Sequence, residues 1–134
     1  MFKMEGQDWQ QENVKKQLLE INGFHIGDLE VLDKFDNETI NKVMLVLLEW
    51  ACYGQGDTGL MMGRQLLSMI SKDCLEKHIV DVVKNGFEYE DTWNFERLLE
   101  FVTEMIPNCT AEILKINSNS SEPDMIELIE YYTK

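Results

Sequence analysis

Along most of the chain apolar residues return every three or four positions, and almost nowhere do they alternate with polar ones. That spacing gathers them on one side of a 3.6-residue helix, whereas a half-buried strand would need a period of two. Val14, Leu18 and Ile21 mark a first helix, opened by Asp8 with Gln11 three residues later and closed by Gly23. Residues 24–36, FHIGDLEVLDKFD, are less regular and predict a short helix from about Asp28. Asn37 caps a long second helix through Ile40, Val43, Met44, Leu47, Leu48 and Ala51, ending at Gly54. Asp57 caps a third through Leu60, Gly63, Leu66, Leu67 and Ile70.

Asp73, with Glu76 three later, starts a fourth helix along Leu75, Ile79, Val82 and Val83, and Gly86 stops it. Asp91 or Thr92 opens a fifth through Phe95, Leu98, Leu99, Val102 and Ile106, with Pro107 marking its end. Thr110 caps a short sixth through Ile113 and Leu114, which closes near Asn117. Ser121 caps a seventh with Pro123 in its first turn, where the missing N–H costs nothing, and with Ile126, Ile129 and Tyr132 as its apolar stripe. The chain is expected to be all-α.

The pattern also repeats. Leu47–Gly54 precedes Ile79–Gly86 by 32 residues, and Gly63–Ile70 precedes Phe95–Val102 by the same 32. A further step of about 31 sets Ile113–Asn117 under Val82–Gly86. Helix pairs recurring at such a period predict a short α-solenoid of about three HEAT-like hairpins over 37–134, with an N-terminal capping helix in 1–36 and a single domain over 1–134.

Within YGQGDTGLMMG, Gly54, Gly56 and Gly59 fall in the G-x-G-x-x-G spacing of dinucleotide-binding loops. Such a loop needs a strand before it, so that the pyrophosphate meets the N-terminus of the following helix. Here NKVMLVLLEWACY is an amphipathic helix, and no P-loop lysine follows. By the repeat, Gly54 and Gly86 both take the left-handed position after a helix. The glycines are read as punctuation, with no nucleotide cofactor.

Composition narrows the classes. With 44% hydrophobic residues the chain has enough apolar matter for a globular core. No apolar run approaches the roughly 20 residues that span a bilayer. The opening MFKMEGQDWQQ turns polar at once, so no secretory leader is expected. Cys52, Cys74 and Cys109 form an odd set without C-x-x-C spacing, as a reducing compartment tolerates. A cytoplasmic location follows as an expectation. Twenty-five acids against twelve bases leave a net charge of −13. That field repels nucleic acid and anionic membrane and draws basic partners or cations.

No catalytic constellation emerges. Cys74 and His78 stand at i, i+4 on one helix, but two ligands do not make a structural zinc site, and His78 reads as an exposed helical residue. His25 has no signature around it, and Cys52 has no base to activate it. The acids Asp28, Glu30, Asp33, Asp36 and Glu38 lack the order of a calcium loop. Neither enzyme activity, cofactor nor metal is expected. The rival reading of an unrecognised helical active site would rest on Cys74 and His78.

The acids are more telling on the fifth helix. EYEDTWNFERLLEFVTE, residues 88–104, holds six acids against the single base Arg97. Glu96, Glu100 and Glu104 follow at i, i+4 and i+8, a spacing that costs roughly 0.2–0.5 kcal/mol per like-charged pair. Glu122, Asp124, Glu127 and Glu130 extend the stripe one hairpin on, with Tyr89, Trp93 and Tyr131 at its margins. Charge speeds encounter with a basic partner, and aromatic anchors hold it. The candidate partner-binding residues are Glu88, Tyr89, Glu90, Asp91, Trp93, Glu96, Glu100, Glu104, Glu127 and Tyr131. The bland alternative makes Trp93 a packing residue beside a solvated face, and gives Trp9, Trp50 and Tyr53 to the core.

With the hairpin repeat and DTWNFERLLEFVTEMI in view, residues 37–132 resemble the small acidic HEAT-like immunity proteins of bacterial polymorphic toxin systems. The first 36 residues have no counterpart in that resemblance. It implies a cytosolic protein that binds one secreted toxin domain, usually a basic nuclease or similar enzyme, and blocks it. The alternative is a non-catalytic helical-repeat adaptor holding a cellular protein or peptide in the solenoid groove.

Overall fold

A computed structural model describes residues 5–53 and 56–134, with side chains from residue 9 onward. Among these residues the chain is all-α, with no strand. Seven α-helices run in order: α1 Glu5–Leu19, α2 Asn37–Cys52, α3 Asp57–Ser68, α4 Lys72–Gly86, α5 Thr92–Met105, α6 Thr110–Ile116 and α7 Pro123–Thr133. The irregular segment after α1 is 3₁₀-helical over Ile26–Lys34 with a kink at Val31, and another 3₁₀ turn, Pro107–Cys109, precedes α6.

The stacking is repeat-like. α2 packs on α3 and α4, α4 reaches α6, and α5 lies against α2, α6 and α7. α1 packs on α2 and α3. Because α2 meets four other helices, apolar residues cover most of its circumference. Ile40, Val43, Met44, Leu47, Leu48 and Ala51 are buried, and Leu45 and Val46 pack partly buried beside them. One connected core runs from Val14 on α1 to Met125 on α7.

The register of the repeat differs from the 32 residues expected. α4 begins 35 residues after α2, at Lys72 against Asn37, and α5 begins 35 after α3, at Thr92 against Asp57. The difference is close to one helical turn, and an amphipathic pattern matches itself almost as well when slid by a turn. Gly86 is accordingly the last residue of α4, not a left-handed residue beyond it. A Cβ there would come within 2.6 Å of Leu45 Cδ2, the end of a side chain that can turn aside. Gly54, its expected counterpart, lies outside the described residues.

Several helix starts also move. α1 is already helical at Glu5, so Asp8 lies inside it. Asp36 precedes α2, and its carboxylate accepts from Thr39 Oγ1, which holds the Asp36 carboxyl below its ordinary range. Gly56, at φ +96°, precedes α3, leaving Asp57 as the first helical residue. Ser71 caps α4 by accepting from Cys74 N at 3.2 Å, with Asp73 in the first turn. Of the two candidates for α5, Asp91 rather than Thr92 is the cap, accepting from Asn94 N at 2.9 Å. Thr110 follows directly on the 3₁₀ turn, and Glu122 rather than Ser121 precedes Pro123 at the head of α7.

Candidate functional site: an acidic groove between α5 and α7

α5 buries Phe95, Leu98, Leu99, Phe101 and Val102, which turns Trp93, Glu96 and Glu100 outward at i, i+3 and i+7. α7 presents Asp124, Glu127, Leu128 and Tyr131 at i, i+3, i+4 and i+7. These two faces, with Thr92 and Tyr132, line one open groove of about 680 Å³. Trp93 is 57% exposed and Tyr131 67% exposed, so both rings stand free of the core. Trp93 is thus not buried between its helix and a neighbour.

Two arginines reach into this region. The Arg97 guanidinium lies 4.3 Å above the centre of the Trp93 ring, a cation–π stack between positions i and i+4 of one helix. Arg64, from α3, donates from Nη2 to Glu100 Oε2 at 2.8 Å. Tyr131 and Tyr132 meet edge to face with centroids 5.1 Å apart. Burial pushes the Tyr132 phenol above its ordinary range, and the Glu100 and Glu96 carboxylates push it the same way. Four carboxylates, Glu96, Glu100, Asp124 and Glu127, and three aromatic rings, Trp93, Tyr131 and Tyr132, thus line the groove.

Of the ten candidate residues, the fold gathers Trp93, Glu96, Glu100, Glu127 and Tyr131 around this groove. Glu104 is exposed farther along α5 and does not line it. Glu88, Glu90 and Asp91 are exposed in the α4–α5 connection and border a separate hollow of about 370 Å³. Tyr89 is half-buried against the core, and its carbonyl accepts from Asn117 Nδ2 at 2.7 Å, which ties the connection to the end of α6. Asp124, Leu128 and Tyr132 belong to the groove although they were not among the candidates. The sequence sets Asp124 in the acidic stripe and Tyr132 in the apolar stripe of α7, whereas Leu128 has only the spacing of that helix as its signal. Arg64 gave none, because it comes from a different helix.

The other candidates resolve differently. His78 is buried rather than exposed, and burial lowers the pKa of its imidazole below the ordinary value. Among the described residues no three His, Cys, Asp or Glu side chains cluster as a metal site. Burial pushes the Cys52 thiol up to about 12, which leaves it protonated at neutral pH. Trp9, expected in the core, is 66% exposed. Trp50 is half-buried and donates from Nε1 to Gln17 Oε1 at 2.6 Å, and the Tyr53 hydroxyl accepts from Glu88 N at 2.8 Å. No helix among the described residues is long and apolar enough to cross a membrane. No family model matches the chain, and no curated protein or solved structure matches it significantly.

Proposed function

We propose that this protein acts by binding, as an immunity protein that captures a basic toxin domain and covers its active site or substrate groove. The observation that carries the proposal is the α5–α7 groove, where two exposed aromatics, Trp93 and Tyr131, stand among Glu96, Glu100, Asp124 and Glu127. An anchor needs a ring that is available and a rim that steers the partner onto it. A net charge of −13 extends that steering over the whole molecule. The resemblance of the α5 segment and the final hairpin to acidic immunity proteins supplies the toxin as the partner, and with it a cytoplasmic site of action.

The test is protection. The protein is coexpressed with a secreted-toxin C-terminal domain encoded beside its own gene, and host growth is followed together with binding. The parent should rescue growth, and a Glu96→Lys/Glu100→Lys/Glu127→Lys variant should associate more slowly and with flatter salt dependence. Equal protection by the triple variant overturns the assignment of the face. A gene neighbourhood without such a toxin overturns the immunity reading.

A further inference from the structure

We propose that the α5–α7 groove is a receptor for arginine side chains, each guanidinium stacking on an exposed ring and pairing with a groove carboxylate. This rests on the reading of the protein as a binder of a basic partner, and it names the chemical group that enters the groove.

The molecule already uses both halves of such a receptor on its own arginines. Arg97 stacks at 4.3 Å on Trp93, and Arg64 pairs at 2.8 Å with Glu100. Each contact is one that a guanidinium makes in a cage of rings and carboxylates: a flat face on an aromatic ring, and N–H donors on a carboxylate. The remaining acceptors are in place. Glu96, Asp124 and Glu127 line the groove, are exposed, and have no ion-pair partner among the described residues. The remaining ring is in place too, since Tyr131 projects from α7 and is packed edge to face on Tyr132. That contact and the Arg97 stack limit the rotamers of the two rings, so less order has to be imposed on binding. A volume of about 680 Å³ admits more than one side chain.

Arginine fits better than lysine. A guanidinium is planar, weakly hydrated and able to stack while its edge donates to a carboxylate, whereas an ammonium is compact and strongly hydrated. Citrulline keeps the shape and loses the charge, so it separates charge recognition from simple packing.

The full chain is titrated at low salt with a short Gly/Ser peptide carrying spaced arginines, and with its lysine and citrulline counterparts, each labelled for fluorescence anisotropy. The arginine peptide should bind tightest, lysine several-fold weaker, and citrulline weaker by about tenfold or more. Trp93→Ala and Tyr131→Ala should each weaken the arginine peptide by about fivefold or more, and Tyr131→Phe should keep most of the affinity. Unchanged melting temperatures establish that these variants fold. Failure of the arginine peptide to bind the parent, equal binding of citrulline, or parent-like affinity in both alanine variants overturns the proposal. If the basic toxin is still captured through the acidic face in any of those cases, the binding reading stands without the arginine receptor. If the toxin itself is not captured, the binding reading has failed on its own account.

Discussion

Arg64 on α3 holds Glu100 on α5 at 2.8 Å, linking the acidic face of the protein to the helix beside it. Glu96, Glu100 and Glu104 repel one another along α5, and the pair offsets that repulsion at its middle member. Both side chains are substantially exposed, 33% for Arg64 and 46% for Glu100, and such pairs stabilise a fold by less than about 1 kcal/mol. Arg64 Nε has no hydrogen-bond partner, so part of its donor capacity is already unused.

Replacing that arginine should therefore affect binding more than folding. Arg64→Gln is expected to change the unfolding free energy, read from urea denaturation, by less than about 1 kcal/mol. It should also raise the association rate with a basic partner at low ionic strength, because it uncovers Glu100. The gain should shrink as added salt screens the face. Stopped-flow association over a salt series checks both statements, and a slower rate at low salt would contradict them.

Gly63 answers to sterics instead. A Cβ there would sit 2.5 Å from Ala51 N and 2.9 Å from Ala51 Cα, both backbone atoms that cannot swing aside. Gly63→Ala should push α3 off α2 and destabilise the fold by about 1–3 kcal/mol, despite the better helix propensity of alanine. Chemical denaturation of the variant measures this, and a stability equal to or above the parent's would rule out the close approach.

What the sequence disclosed follows from what each feature depends on. Helix existence depends on local periodicity, and every predicted α-helix is present, with the uncertain 24–36 segment resolving into a 3₁₀ helix at Ile26–Lys34. The repeat register depends on how hairpins stack, and a pattern that is self-similar over one turn cannot distinguish 32 from 35. The acidic stripe on α5 was legible because i, i+4 spacing is a property of one helix. Its relation to α7 was half legible: Glu127 and Tyr131 were candidates, but Asp124, Leu128 and Tyr132 depend on how α7 is rotated against α5. Tyr89, a candidate at the margin of the stripe, is half-buried against the core, a placement that the sequence of a loop does not disclose. Its backbone carbonyl accepts from Asn117 Nδ2, 28 residues away. Trp9 failed in the opposite sense, since a lone large apolar residue carries no sign of which way its helix faces.

At the start of α4 the cap is Ser71 and not Asp73, from which the sequence was expected to open the helix. Ser71 Oγ accepts from Cys74 N, while Asp73 occupies the first turn, where its charge only complements the helix dipole. Ser71→Ala should cost about 1 kcal/mol. Asp73→Asn should cost about 0.3–1 kcal/mol and lose that effect at high salt. Parallel thermal melts in low and high salt separate the two, and a larger loss at Asp73 than at Ser71 would restore Asp73 as the cap.

The buried thiols predict how stability falls in alkali. Burial pushes Cys52 up to about 12 from an ordinary value of 9.0, and it also raises Cys74 and Cys109. A folded pKa above the unfolded one means that the folded state keeps its proton longer. The associated stability is then complete below about pH 9 and is lost as pH rises from there toward 12. Cys52→Ala should accordingly lessen the fall in urea midpoint between neutral and alkaline pH, without abolishing it, because burial also raises Tyr53 and Tyr132. The same burial makes Cys52 inert. Iodoacetamide at pH 8 should leave it unmodified in the native protein and alkylate it fully in denaturant, as read by peptide mass mapping. Rapid native-state alkylation of Cys52 would mean that the thiol is open to solvent, and it would reopen the possibility of thiol chemistry at the end of α2.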